Sequence, residues 1–357
     1  MLNKLSKSEQ TCLALEALYE SYGYKKYAMR KFEEYSLYLE NKNFLTSEYI
    51  LTFNDPNGKL MALKPDVTLS ILKNAKSNPG VEKTFYREKV YRLDKQSRQY
   101  REIEQIGLEV LNSPGRVTEA EICELACKSL AEVDSEFILC ISNMEFISAI
   151  LDDLTDAGEQ SKAKVVSFIR SKNAHELYDA LLECGCEIEY AENLSKLIMF
   201  SGSNGEILEL ADKLAYNARM KEALECLSRL SALNGYADRV KIDFTLMNDG
   251  AYYNGLVFCG YVKRIPKAVL TGGYYDKMAQ KFGKRDGGAG FALILGELNA
   301  YYEEKDEYDI DILLICSKGS DPETVLSRAR ELRNKGMSVR VESAVPERLR
   351  YKEMIVL

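Results

Sequence analysis

The chain has no tryptophan and only one histidine among its 357 residues. A single histidine restricts the possible chemistry, because a Ser-His-Asp triad would have to use His175. This residue lies in the helical pattern SKNAHELYDALL, and no serine elbow or other nucleophile motif accompanies it. We therefore interpret His175 as an ordinary exposed residue and predict no triad chemistry.

Signals for membranes and secretion are missing as well. No stretch approaches the run of about 18 apolar residues that a transmembrane helix needs. The first ten residues, MLNKLSKSEQ, lack the apolar core of a signal peptide. The nine cysteines fall mostly within apolar helical or strand patterns and do not have zinc-site spacing. We expect a cytoplasmic protein that uses no metal and no other cofactor.

The sequence also has no basic tail and no run of lysines. It carries 48 Lys and Arg against 55 Asp and Glu, which gives a net charge of −7 at pH 7. An acidic chain is not drawn to a phosphate backbone by bulk electrostatics, so we expect no nucleic-acid partner. The length predicts two or three domains.

The spacing of apolar residues predicts an α+β fold. Residues 8–23 have the three-and-four spacing of an amphipathic helix, and Asn57-Gly58 is a turn signal between two alternating runs. Residues 83–94 and 101–111 are typical of paired strands. Residues 151–237 are almost entirely helical in periodicity. Strands separated by an all-helical stretch favour an antiparallel sheet flanked by helices.

The last third of the chain returns to strands. Strand character begins again at Arg239, and residues 307–344 have a β-α-β pattern. Residues 283–305 (GKRDGGAGFALILGELNAYYEEK) predict a glycine-rich turn that runs into a long helix.

The segment from Leu63 to Val110 carries the most chemistry. A Pro-acid-x-Thr turn opens a helix, a strand with Arg92 follows, and the return strand ends in Glu-Gln-Ile-Gly-x-Glu. This order places an acid at a helix start, an arginine on one strand, and a glutamine and an acid on the next. It predicts a polar pocket on an antiparallel sheet.

This segment resembles motif 2 of the histidyl-tRNA synthetase branch of class II synthetases. Three later segments extend the resemblance in the same order: NDGAYYNGLVF at 248–258, TGGYYD at 271–276, and GAGFALILGEL at 288–298, which is similar to motif 3. Each alone is also typical of ordinary strand packing or turns. Together they imply a synthetase-like core formed by residues 1–150 and 238–305, a helical insertion at 151–237, and a truncated α/β segment at 306–357.

The resemblance implies a set of candidate ligand-binding residues for histidine. Carboxylates suit an ammonium group, and tyrosine hydroxyls together with an acid suit an imidazole. The matching positions are Asp66, Thr68, Arg92, Gln105, Glu109, Tyr253 and Tyr275.

Several positions depart from the synthetase pattern. The family stabilises the pentavalent phosphate of adenylate formation with arginines and Mg²⁺. The arginine of motif 3 falls on Glu297, that of the second histidine segment falls near Asn248, and that of the glycine-rich segment falls on Tyr274. The motif 1 region, YAMRKFEEY, also lacks the usual proline. We therefore predict a pocket that holds an amino acid and has no catalytic residues.

A synthetase-like core without these arginines resembles the regulatory subunits of ATP phosphoribosyltransferase, the first enzyme of histidine biosynthesis. The resemblance implies a homodimer that joins the short-form catalytic subunit in a hetero-oligomer, is needed for its activity, and takes part in feedback inhibition by histidine. Histidine would bind in the vestigial pocket or at the subunit junction.

Three alternatives remain open at this point. The chain is an active histidyl-tRNA synthetase, a synthetase-like enzyme that acts on another acceptor, or a scaffold whose pocket binds nothing. The missing arginines count against the first two, because both need an ATP site.

Overall fold

The protein forms two compact units, residues 1–300 and residues 301–357. Its structure is a computed structural model, and it describes residues 5–45, 49–75, 80–94, 97–112, 115–154, 157–247, 253–302, 308–317 and 319–357.

Strands build both units. The bounds are β1 Lys25–Lys26, β2 Phe32–Glu34, β3 Thr52–Asn54, β4 Leu60–Leu63, β5 Glu82–Leu93, β6 Tyr100–Leu111, β7 Phe137–Asn143, β8 Val240–Ile242, β9 Leu256–Val262, β10 Leu270–Tyr274, β11 Gly288–Ile294, β12 Ile310–Ile315, β13 Val339–Glu342 and β14 Tyr351–Val356.

Helices alternate with these strands and also fill the middle of the chain. The bounds are α1 Lys7–Ser21, α2 Tyr35–Leu39, α3 Thr68–Asn74, α4 Gly115–Val133, α5 Met144–Asp153, α6 Glu159–Arg170, α7 Ala174–Glu183, α8 Ile188–Met199, α9 Asn204–Asp212, α10 Ala218–Ser231, α11 Asp276–Lys281, α12 Leu295–Tyr302 and α13 Pro322–Asn334. Within the described ranges, no helix is long and apolar enough to cross a membrane.

An eight-stranded sheet in the order β1-β5-β6-β11-β10-β9-β7-β8 organises the first unit. Its neighbours are antiparallel from β5 to β7, while the two edge strands β1 and β8 pair in parallel. The predicted α+β class and synthetase-like sheet are confirmed, with the correction that the sheet is mixed at its edges.

The local predictions near the N-terminus are confirmed where the structure describes them. Helix α1 starts with a capping box, in which Ser6 accepts a hydrogen bond from the Glu9 amide and the Glu9 carboxylate accepts one from the Ser6 amide. The Asn57-Gly58 turn joins β3 to β4 in a small sheet of order β2-β4-β3, with Gly58 at a φ of 79°. His175 on α7 is exposed.

The prediction for residues 283–305 was wrong in its first half. Residues 288–294 form β11 in the interior of the sheet, between β6 and β10, and the helix begins only at Leu295. Five of the seven residues of β11 are buried, and the other two are partly buried. A strand covered on both faces has a continuous apolar run, so periodicity does not separate it from a buried helix.

The helical periodicity of residues 151–237 corresponds to α6 to α10, each of which buries one apolar face.

The second unit has a parallel sheet of order β13-β12-β14 with α13 in the crossover. Its core consists of Leu314, Val325 and Ala329. The division of the first unit into a core and an insertion stays a prediction.

A buried ion pair fixes the turn that precedes α3. The ammonium of Lys64, which is 2% exposed, contacts the carboxylate of Glu88 on β5. The second oxygen of Glu88 accepts a hydrogen bond from the Met29 amide at 2.9 Å. Backbone bonds from Lys64 to Lys31 and from Tyr91 to Lys64 tie the same turn to both neighbours. The sequence Lys64-Pro65-Asp66 is therefore held against β5 by an ion pair whose ammonium is almost fully buried.

Replacing Lys64 by methionine should destabilise the protein by about 3–5 kcal/mol, because it leaves the largely buried Glu88 carboxylate without its cation. Urea unfolding followed by circular dichroism measures this change. The exposed Lys59–Glu34 pair supplies a matched control, since Lys59→Met removes the same charge where water replaces it. Equal effects of the two substitutions would contradict a structural role for Lys64.

Candidate functional site

A cavity of about 340 Å³ opens on one face of the eight-stranded sheet. All seven candidate residues from the sequence line it: Asp66, Thr68, Arg92, Gln105, Glu109, Tyr253 and Tyr275. They come from α3 and its preceding turn, from β5 and β6, and from the segments around β9 and β10. The structure thus brings together residues that lie more than 200 positions apart in the chain.

The cavity floor consists of side chains that share one face of the sheet by register. In one row, Tyr86 pairs with Gly107, which pairs with Ala292, Thr271 and Cys259 in succession. The neighbouring rows on the same face carry Glu109 with Gly290 and Gln105 with Ile294. Because side chains alternate along a strand, residues 105, 107 and 109 of β6 all point toward the cavity.

The Pro-Asp-x-Thr turn supplies one wall. Oδ1 of Asp66 accepts a hydrogen bond from the Leu69 amide at 2.9 Å, which caps the start of α3. Arg92 donates from Nε to the Pro65 carbonyl at 2.7 Å, and its Nη2 lies 3.7 Å from Oδ2 of Asp66. Burial raises the pKa of Asp66, and the Arg92 charge works against that rise. The turn and Arg92 therefore hold each other in position at the wall of the cavity.

Glu109 lies at the centre of the site and is 2% exposed. Thr68 donates its hydroxyl to Oε1 of Glu109 at 2.7 Å, and Tyr275 donates its hydroxyl to Oε2 at 2.5 Å. Burial raises the pKa of Glu109 to about 8, although both hydroxyl donors favour the ionised form. A side chain at Gly290, the facing residue on β11, would place its Cβ 1.9 Å from Oε2 of Glu109. Glycine at 290 is therefore required for the carboxyl to occupy this position.

Gln105 and Tyr253 complete the predicted set. Gln105 is 4% exposed and reaches the cavity from the row next to that of Tyr86. Burial raises the pKa of the Tyr253 hydroxyl well above its usual value, and the nearby Glu109 adds to the rise. Both residues therefore present polar groups in a site that is largely shielded from water.

Sequence reasoning missed several lining residues, including Tyr86, Met247, Cys259 and Thr271. Two of them had a signal in the sequence. Tyr86 lies on a predicted strand, six residues before Arg92 and therefore on the same face, and Thr271 opens the TGGYYD segment. Their position in the pocket depends on which strands are neighbours, however, and the chain order does not give that.

Two positions that depart from the synthetase pattern, Glu297 and Tyr274, do not line the cavity. Glu297 on α12 lies 3.8 Å from the ammonium of Lys267, and Tyr274 donates its hydroxyl to the Gly115 carbonyl at 3.5 Å. Asn248 lies outside the described residues.

The charge of the cavity suits an ammonium better than a triphosphate. Among the lining residues that the structure describes, Arg92 is the one cation, and its Nη2 lies 3.7 Å from Oδ2 of Asp66. The site can hold an amine and a ring with polar nitrogens, and it has little with which to neutralise phosphates.

Known proteins share this architecture. The model of the histidyl-tRNA synthetase family matches residues 2–298. The ATP phosphoribosyltransferase regulatory subunit of Syntrophotalea carbinolica is 30% identical over 294 residues, which cover 78% of this chain and 68% of that protein.

Two solved structures share the fold. One is an ATP phosphoribosyltransferase regulatory subunit/histidyl-tRNA synthetase from Bacillus halodurans, with a TM-score of 0.81 and 22% identity over 98% of this chain and 93% of that one. The other is an ATP phosphoribosyl transferase (HisG:HisZ) complex from Thermotoga maritima, with a TM-score of 0.62 and 20% identity over 80% and 96% of the two chains. The chain therefore belongs to the histidyl-tRNA synthetase family and, within it, to the ATP phosphoribosyltransferase regulatory subunits.

Proposed function

We propose that this regulatory subunit is non-catalytic, is required for activity of the short-form catalytic subunit of ATP phosphoribosyltransferase, and transmits feedback inhibition by histidine. The observation that carries the proposal is that the seven candidate histidine-binding residues all line one cavity. Arg92 is the one cation among the lining residues that the structure describes. The Thermotoga maritima complex, which contains both kinds of subunit by its name, supports the choice of partner.

Each part of histidine has a counterpart in the cavity. In this proposal the ammonium of histidine pairs with the Asp66 carboxylate and the amide oxygen of Gln105, and the carboxylate of histidine pairs with the Arg92 guanidinium. The imidazole of histidine hydrogen-bonds to the Glu109 carboxyl, which Thr68 and Tyr275 already orient. A pre-oriented carboxyl in a shielded site strengthens any hydrogen bond that the ring makes.

Regulation follows from linkage between this pocket and the partner. We propose that a homodimer of this chain docks catalytic subunits and favours their competent arrangement. Histidine then shifts the balance by its different affinity for the active and inhibited arrangements, and the same coupling makes partner binding sensitive to histidine.

Adenylate formation is the competing function, because the family model is that of a tRNA ligase. One arginine among the described lining residues, already bonded to a carbonyl and beside Asp66, gives weak support for a transferring phosphoryl group. We therefore expect no ATP–pyrophosphate exchange with histidine.

Calorimetric titration with L-histidine tests the pocket. We expect binding by the wild type and a loss of affinity of about tenfold or more in Asp66→Asn, since a charge-assisted hydrogen bond contributes about 1.5–3 kcal/mol. Glu34→Gln, an exposed carboxylate outside the cavity, is the control and should bind normally. Histamine, which lacks the carboxylate, reports whether Arg92 contributes. Wild-type affinity in Asp66→Asn would place the ligand elsewhere.

Reconstitution with a short-form catalytic subunit from the same organism tests the partner. We expect phosphoribosyltransferase activity to depend on adding this chain and to be inhibited by histidine. Complexes with Asp66→Asn should keep their activity but need more histidine for inhibition. If Asp66→Asn leaves inhibition unchanged, histidine acts at the subunit junction, and if the chain does not activate, the partner assignment is wrong.

The raised pKa of Glu109 predicts a pH dependence of stability. The unfolded carboxyl ionises near pH 4, whereas the folded one holds its proton up to about pH 8. Stabilisation from this proton is therefore complete at low pH and is lost as the pH rises toward 8. Between pH 6 and pH 9 the wild type should lose about 2–3 kcal/mol more than Glu109→Gln, which cannot ionise. Urea unfolding at both pH values measures the difference, and parallel curves would refute it.

A further inference from the structure

We propose that Tyr86 is an additional ligand-contact residue of the cavity and that its hydroxyl hydrogen-bonds to a nitrogen of the bound molecule. This inference rests on the proposed ligand-binding function and adds to it a residue that the sequence motifs did not indicate.

The hydroxyl of Tyr86 is a polar group without a protein partner in the described parts of the chain. The residue is 1% exposed, lines the cavity, and makes no hydrogen bond to any of them. Its neighbours in the site are different, because the hydroxyls of Thr68 and Tyr275 both bond to Glu109. Buried hydroxyls are normally bonded, so an unbonded one in a cavity wall points to a partner that arrives with the ligand.

Gly107 directs this hydroxyl to the middle of the cavity floor. Tyr86 pairs with Gly107 across β5 and β6, and a Cβ at position 107 would lie 2.7 Å from the tyrosine oxygen. The hydroxyl therefore occupies the space that a side chain at 107 would fill. A larger residue there would also meet the Phe291 carbonyl at 2.3 Å.

The position lies between the two polar residues of β6 that face the ligand. Gln105 and Glu109 are four residues apart on the same strand face, roughly 13 Å at about 3.3 Å per residue, with Gly107 midway. A molecule of amino-acid size that reaches from one to the other passes over the Tyr86 hydroxyl. A phenol hydroxyl can accept a hydrogen bond from an N–H and can donate one to a ring nitrogen, so either group of a bound amino acid is complementary to Tyr86.

Within the described parts of the chain, the Tyr86 hydroxyl makes no hydrogen bond that would stabilise the ligand-free protein. Its removal breaks no hydrogen bond to the residues that the structure describes, and the aromatic ring keeps its packing in the core with Val90 and Leu72. A ligand-contact role and a structural role thus predict different results for the same substitution.

The experiment is Tyr86→Phe, with L-histidine as the probe in calorimetric titration and with the Tm of the ligand-free protein measured in parallel. We expect affinity to fall about three- to tenfold, the net value of one hydrogen bond, while the Tm stays the same or rises. Tyr38→Phe is the matched control. Tyr38 is fully buried in the same core, has a hydroxyl with no described partner, and does not line the cavity, so its loss should leave affinity unchanged.

The outcomes separate this inference from the proposed function. Wild-type protein that does not bind histidine refutes the proposed ligand, and the inference falls with it. Wild-type binding with an affinity within twofold in Tyr86→Phe overturns the inference alone. A loss of affinity with a lowered ligand-free Tm, or an equal loss in Tyr38→Phe, assigns Tyr86 to packing and also overturns it.

Discussion

The carboxyl of Glu109 joins three distant parts of the chain at one point. Thr68 reaches it from the start of α3, Tyr275 from the segment after β10, and Gly290 leaves room for it on β11. Burial raises the pKa of Glu109 to about 8, so the site keeps a titratable group at the expense of stability at high pH. Buried ionisable groups with shifted pKa values are usual at functional sites, where residues are arranged for a ligand rather than for folding.

The surrounding structure holds this arrangement in place. The buried contact between Lys64 and Glu88 anchors the turn that carries Asp66, and Arg92 bonds to the carbonyl of Pro65 in the same turn. A buried ion pair contributes little net stability compared with an apolar pair, but removing either partner is costly because the other charge is left buried and unpaired. The turn leads directly into α3, whose first residue, Thr68, donates its hydroxyl to Glu109.

Charge distinguishes the proposed amino-acid pocket from a site that forms adenylates. An amino-acid pocket needs carboxylates, hydroxyls and one guanidinium, and these converge on the cavity. Adenylate formation needs several cations around the phosphates in addition. Glu297 and Tyr274 are engaged with Lys267 and the Gly115 carbonyl outside the cavity. A synthetase-like fold with this distribution of charge suits a subunit that binds an amino acid and passes the information to a partner.

Short-range features of this protein were readable from the amino-acid sequence. The turn at Asn57-Gly58, the capped helix α1 and the long hairpin of β5 and β6 follow from local turn chemistry and alternation. The Pro-Asp-x-Thr turn and the Gln105 to Glu109 spacing indicated four of the lining residues, and Arg92 on the partner strand β5 is a fifth. Gln105, Glu109 and Arg92 lie on the paired strands of one hairpin, which keeps them near each other in space.

Tertiary structure decided the rest. The sequence predicts a turn leading into a helix at residues 288–294, but pairing with β6 and β10 makes them an interior strand. Burial on both faces removes the polar–apolar alternation by which a strand is distinguished from a buried helix. That pairing sets Gly290 against Glu109 and brings Thr271 and Cys259 into the row of Tyr86. The register between strands that are far apart in the chain depends on the packing of the whole sheet, so no local pattern could have shown that the hydroxyl of Tyr86 faces the cavity.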